Sequence, residues 1–178
     1  MIPASFEYHR PGSVDEVVSL LAELGEEGRV LAGGHSLIPM MKLRLAEPAH
    51  LIDLTGVEGL RGIAEVEGAI HIGAMTTQAE IIKSDPLAER YPILREAAEL
   101  IADPQVRALG TIGGNAANGD PGNDMPAVMM AVDAAYVLRG STEPSASWPL
   151  TVSLMSVLAM VLSLPWRGRA RLRSRAGS

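Results

Sequence analysis

The chain has 178 residues, 47% of them hydrophobic, 20% charged and only 3% aromatic, with a formal net charge of −6 and no cysteine. That length holds one ordinary domain or two small lobes sharing a core, and the composition is that of a globular protein, not of a disordered one. Acidity argues against nucleic acid as a partner, and the lack of cysteine excludes disulfides, thiol nucleophiles, thiolate zinc sites and any iron–sulfur cluster ligated by this chain. The N-terminal "MIPASFEYHRPGS" shows no basic stretch followed by an apolar run, so the expected location is the cytoplasm.

Ser13 followed by Glu16 makes a capping-box pattern, and Val17, Val18, Leu20, Leu21 and Leu24 supply one apolar face before Gly25. This spacing predicts a helix over about Val14 to Leu24. "RVLAGG" reads as a short strand running into glycines. In "HSLIPMMKLRLAEP", Ser36 stands where it can cap a helix that accommodates Pro39 in its first turn and ends before Pro48. "HLIDL" reads as a second buried strand. Strand, glycine turn, helix and strand in that order favour a parallel pair with a helical crossover. Beyond Gly56, "LRGIAEVEGAIHIGAM" alternates apolar and polar residues around Glu67-Gly68, as a hairpin does. "TTQAEIIKS" and "YPILREAAELIA" are helical by spacing, the second with Ile93, Leu94, Ala97, Leu100 and Ile101 on its inner side. A glycine-rich loop, a helix over "MPAVMMAVDA" and a strand over "AAYVL" follow, with Met125, Met129 and Met130 read as core. The organisation is α+β: a lobe over residues 1–55, a second over 56–140, one glycine-rich loop in each, and an atypical tail over 141–178.

The first loop contains Gly33, Gly34, His35 and Ser36. The second, "TIGGNAANGDPGND" over residues 111–124, is too polar for core and too glycine-rich for helix. Both sit at helix starts, where exposed N–H groups form an anion nest without a basic side chain. Neither ends in the GK[ST] of a phosphate loop, and no G-x-G-x-x-G occurs. Asp120 and Asp124 would repel a pyrophosphate, so they are expected to face hydroxyls, amide N–H groups or an uncharged ring. A ligand with a central diphosphate flanked by polyol and heterocycle fits both loops, and FAD is such a molecule. Plainer readings compete at single residues. His35 has no ligand spacing with His9, His50 or His71, so no metal site is expected. Asp53 either orients a ribose or caps a turn, while Asn115 and Asn118 can simply hold turns. The ordered pair of loops is what favours a ligand.

"AGGHSLIPMMKLRLAEPAHLIDL", "GAMTT", "ADPQVRALGTIGGNAANGDPGND" and "MPAVMMAVDA" together resemble the FAD-binding medium subunit of molybdenum hydroxylases, the carbon monoxide dehydrogenase and xanthine dehydrogenase family. The resemblance runs from the N-terminus to about Gly140. It implies a PCMH-type FAD-binding fold with two α/β lobes around the cofactor. It assigns Leu31, Ala32, Gly33, Gly34, His35, Ser36, Leu37 and Ile38 to the FAD diphosphate. Gly110, Thr111, Gly114, Asn115, Asn118, Asn123 and Asp124 are assigned to the diphosphate, ribityl and flavin end, with Ile101 as an apolar contact. It also implies an oxidoreductase subunit without a catalytic side chain of its own. Electrons would pass from a molybdenum-binding large subunit through two-iron two-sulfur clusters on a small subunit to FAD here, and on to NAD, a quinone or oxygen. The expected assembly is a dimerised heterotrimer, and in it the cofactor carries the chemistry.

After Arg139-Gly140 the likeness ends, and the family's C-terminal domain is expected to be absent. From Trp148 to Trp166 no charged residue occurs, tryptophan stands at both ends and arginines follow. Three readings of this tail stay open: a membrane-spanning anchor on a tethered flavoprotein, a buried or interface helix, and a reading-frame change or truncation that leaves a non-catalytic fragment with part of the FAD site. The composition shift favours the last, and no membrane is expected as a partner.

Overall fold

The structure, a computed structural model, describes residues 2–120, 122–140 and, as backbone, 161–165. Strands and helices alternate at the start: β1 (Glu7–His9), α1 (Val14–Leu24), β2 (Gly28–Leu31), α2 (Leu37–Lys42) and β3 (His50–Asp53). The strands form a parallel sheet in the order β1-β3-β2, and α2 makes the crossover between β2 and β3 that the sequence implies. β1 is too short to show a period-2 pattern, and nothing in its sequence announces it. Helix α1 starts as expected, with Ser13 Oγ accepting from the Glu16 N–H, and it stops at Gly25 with φ 54°. The return bond of the capping box reaches one residue further back, where the Gly12 N–H donates to Glu16 Oε2 at 2.7 Å. Val17 joins Ile52, Leu54, Val57 and Leu60 in the first apolar core. Helix α2 is shorter than its sequence suggests. Ser36 makes no capping hydrogen bond, and Arg44 at φ 59° turns the chain away long before Pro48.

The second lobe opens with the expected antiparallel hairpin, β4 (Ile63–Val66) and β5 (Ala69–Gly73). Its two-residue turn holds Glu67 at φ 51° and Gly68 at φ 79°, the paired positive values that match the twist of the flanking strands. Six helices follow: α3 (Gln78–Lys83), α4 (Asp85–Arg90), α5 (Pro92–Leu100), α6 (Pro104–Leu109), α7 (Ile112–Asn118) and α8 (Asp124–Ala131), then β6 (Ala135–Val137). Their core gathers Ile70 and Ile72 with Ile81, Leu94, Ile112, Met125 and Met129. Two expectations about packing fail. On α5 the buried face is Leu94, Ala97 and Ala98, the i, i+3, i+4 row, while Ile93 is 41% and Leu100 78% exposed beside it. Met130 is likewise exposed, one step round the helix from Met129.

Residues 161–165 form a further strand, β7 (Val161–Pro165), which pairs antiparallel with β5 on one side and β6 on the other. The second sheet therefore runs β4-β5-β7-β6, and part of the apolar segment between Trp148 and Trp166 is sheet. A short apolar run cannot be assigned to strand or helix from hydropathy alone. The rest of that segment and the arginine-rich end lie outside the described residues. Among the described residues no helix is long and apolar enough to cross a membrane. The lobes are tied together by Met75, which packs into the first lobe's core, and by Arg139 paired with Asp15 at 2.8 Å.

Candidate functional site

Both glycine-rich loops open into one cleft of about 750 Å³ between the lobes, within the range typical of cofactor sites. From the first loop it is lined by Ala32, Gly33, Gly34, His35, Ser36 and Leu37. From the second lobe come Ile101, Gly110, Thr111, Gly114, Asn115, Asn118, Asn123 and Asp124. Leu31 and Ile38 do not line it. They lie under the first loop, where a Cβ on Gly34 would stand 2.6 Å from Ile38 Cδ1 and 3.4 Å from Leu31 Cδ1.

The second loop is not a bare backbone mould. Its first half is helix α7, capped by Thr111, whose Oγ1 accepts from the Gly114 N–H at 3.1 Å. The other donors of that first turn are also used inside the protein: Ile112 N–H to Thr76 O at 2.9 Å, Gly113 N–H to Ala74 O at 2.8 Å, and Asn115 N–H to Thr111 O at 3.0 Å. No anion nest remains there. The glycines serve protein packing instead. A Cβ on Gly33 would stand only 2.1 Å from Leu109 O, so a side chain there would force the lobes apart, and one on Gly113 would stand 2.7 Å from Ala74 O and disrupt packing inside the second lobe. Gly114 is similarly enclosed by Thr111 Oγ1 at 2.8 Å and Ala32 Cβ at 3.2 Å.

The first loop behaves differently. The N–H groups of Gly34, His35, Ser36 and Leu37 donate to nothing within the described residues, and all four residues line the cleft. A row of four unpaired donors is suited to phosphate oxygens. Two amide side chains complete the polar equipment. Gln78, 2% exposed and lining the cleft, has both Nε2 and Oε1 without a hydrogen-bond partner, as does buried Asn115 Oδ1. A buried polar group left unpaired costs about 1–3 kcal/mol, so these atoms are candidates to pair with a polar ligand. A diphosphate with a hydrogen-bonding heterocycle meets both sets of groups.

Sequence reasoning missed Gln78, although its spacing three residues before buried Ile81 puts it on the inward face of α3. It also missed Arg29, the one Lys or Arg among the described residues that line the cleft, which faces it from β2. Asp120 accepts from the Gly122 N–H at 2.8 Å and holds a turn, while Asp124 begins α8 at the rim. Asp53 is a turn cap, not a ribose ligand: it does not line the cleft, and it accepts from the Thr55 N–H at 2.9 Å, the Thr55 hydroxyl at 2.8 Å and the Tyr8 hydroxyl. Burial pushes its carboxyl upward, but these hydrogen bonds prevail and hold it below the ordinary aspartate value.

Residues 4–154 match the sequence family described as the FAD binding domain in molybdopterin dehydrogenase. The chain is 62% identical over 140 residues to the carbon monoxide dehydrogenase medium chain of Afipia carboxidovorans, an alignment covering 79% of this chain and 49% of that relative. It is 37% identical over 142 residues to the glyceraldehyde dehydrogenase medium chain of Sulfolobus acidocaldarius, covering 80% and 50%. Carbon monoxide dehydrogenase from Hydrogenophaga pseudoflava superposes with a TM-score of 0.87 at 47% identity, over 95% of this chain and 62% of that one. Quinoline 2-oxidoreductase from Pseudomonas putida 86 gives 0.85 at 29% identity, over 93% and 60%. The chain spans about half the length of the curated relatives it matches. With the shared fold, the sequence match and a cleft that fits the cofactor, this chain belongs to the FAD-binding domain family of the molybdopterin dehydrogenases.

Proposed function

We propose that this chain is the FAD-binding part of a molybdenum hydroxylase medium subunit, taking electrons that arrive through two-iron two-sulfur clusters on a small subunit from a molybdenum-binding large subunit. The observation that carries this reading is the convergence, in one interlobe cleft, of the N–H groups of Gly34, His35, Ser36 and Leu37, unpaired within the described residues, with the unpaired Gln78 amide and the unpaired Asn115 Oδ1. FAD, when bound, supplies the capacity to accept electrons and pass them on. The chain's residues supply position and electrostatics: the first loop holds the diphosphate, Arg29 adds positive charge at the mouth, and Gln78 and Asn115 orient the heterocyclic or ribityl part. Ile101 and Leu100 give the cleft an apolar wall. The division into lobes at 1–55 and 56–140, with β7 of the tail completing the second sheet, goes with this reading, as do a cytoplasmic location and a dimerised heterotrimeric assembly. A chain without cysteine leaves cluster ligation to its partner.

The test is spectroscopic. The purified chain, incubated with FAD and desalted, is expected to retain a flavin absorbance spectrum that bleaches on mixing with the reduced small subunit and recovers in air. Bound flavin that stays oxidised beside the reduced small subunit would limit the chain to cofactor binding. Loss of all flavin on desalting would defeat the proposal.

A further inference from the structure

At the β1 edge of the first sheet, on the face that also carries Ile52, Glu7, His9 and His50 bring three ligand atoms to one point. The parallel register sets Glu7 opposite His50 and His9 opposite Ile52, so the period-2 alternation of β1 and β3 places all three side chains on the same face. His9 Nε2 and His50 Nδ1 are 3.0 Å apart. Glu7 Oε2 lies 3.2 Å from His50 Nδ1 and 3.9 Å from His9 Nε2. A tetrahedral zinc ion with bonds of about 2.0–2.1 Å requires ligand atoms about 3.3 Å apart, which these three edges bracket. The longest edge ends on Glu7, whose side chain is 72% exposed and free to close it by a small rotation.

Hydrogen bonding alone does not satisfy this arrangement. His50 Nδ1 faces both His9 Nε2 and Glu7 Oε2, and a ring nitrogen carries at most one proton, so it can donate to only one of them. A divalent cation accepts a lone pair from all three atoms at once. Imidazole and carboxylate together suit zinc and its late first-row neighbours. The two histidines are 41 residues apart, which is why no ligand spacing is visible along the chain.

We propose that Glu7, His9 and His50 form a zinc-class divalent cation site that fastens the edge strand β1 to β3, with its fourth position open to water. An ion held only by the folded chain raises folded-state stability by mass action. The experiment is thermal unfolding of the full chain with zinc chloride or with EDTA, together with a visible titration using cobalt(II) as a geometric reporter. One ion per chain is expected, with an upward shift of the melting temperature in zinc and tetrahedral cobalt bands. His50→Gln and His9→Gln should each weaken binding by more than the ~10–100-fold attributed to outer-shell partners. Glu7→Gln at an exposed position should weaken it without disturbing the fold. His71→Gln, outside the cluster, should bind as the parent does. Absence of zinc stabilisation and of cobalt bands in the parent chain would overturn the proposal. So would binding that survives in both His9→Gln and Glu7→Gln, which keeps the test informative if His50→Gln does not fold.

Discussion

Gln78 offers the sharpest separation between a residue built for a ligand and one built for the fold. Its side chain is 2% exposed, both polar atoms lack partners, and its backbone N–H is already used by Gly110 O at 2.9 Å. Replacement by methionine keeps length and shape while removing both polar atoms. In the cofactor-free chain this removes an unpaired buried amide, so Gln78→Met should raise stability by about 1–3 kcal/mol. In the complex it removes up to two hydrogen bonds, each worth about 0.5–1.5 kcal/mol, and FAD affinity should fall by ~5–150-fold. Urea unfolding with and without FAD reads the first quantity, and quenching of flavin fluorescence reads the second. Opposite signs in the two measurements are the signature of a ligand socket. A variant less stable than the parent and unchanged in affinity would show that the amide belongs to the fold, and the reasoning would fail.

Gly33→Ala would place a methyl group 2.1 Å from Leu109 O and 2.8 Å from Leu109 C. Both are backbone atoms, so the loops must separate; a loss of about 1–3 kcal/mol in unfolding free energy and weaker flavin binding are expected, and an unchanged unfolding midpoint would contradict the packing account. Arg29→Ala should weaken FAD binding and flatten its dependence on ionic strength, read from titrations at low and high salt; an unaltered salt dependence would remove Arg29 from the site. Asp53 is held below its ordinary value, so its contribution is full above the unfolded aspartate value of about 3.9 and is lost as the pH falls through the lower native one. Tyr8→Phe removes one of the hydrogen bonds responsible, so the stability gap between parent and variant, measured by urea midpoint, should be widest near neutrality and narrow in strong acid. A gap independent of pH would refute that assignment.

Local chemistry explains what could be read in advance. The hairpin was legible because Glu67-Gly68 supplies two positive φ values between alternating segments, and the crossover because apolar strands flank a glycine turn and a short helix. The cleft was legible as a pair of loops, yet the physical reason for their glycines was not. Gly33 and Gly113 meet Leu109 and Ala74, contacts between segments far apart in sequence, and no composition argument can tell a near ligand from near protein. The same cause hid α7: Thr76 and Ala74 accept its first N–H groups and stabilise a glycine-bearing helix that propensity alone disfavours. β1 and β7 were hidden because short strands are specified by their partners. Gln78 was readable in principle from its helical phase, but a polar residue on an inward face attracts notice only once its missing partners are seen.

The central claim is that four main-chain donors of the first loop, with the Gln78 and Asn115 amides opposite, hold FAD between the lobes. A crystal structure of this chain grown with FAD tests it directly. The account predicts diphosphate oxygens within hydrogen-bonding distance of the Gly34, His35, Ser36 and Leu37 N–H groups, and both amides bonded to the cofactor. Electron density for FAD outside this cleft, or first-loop donors turned onto protein atoms with the cofactor in place, would contradict it.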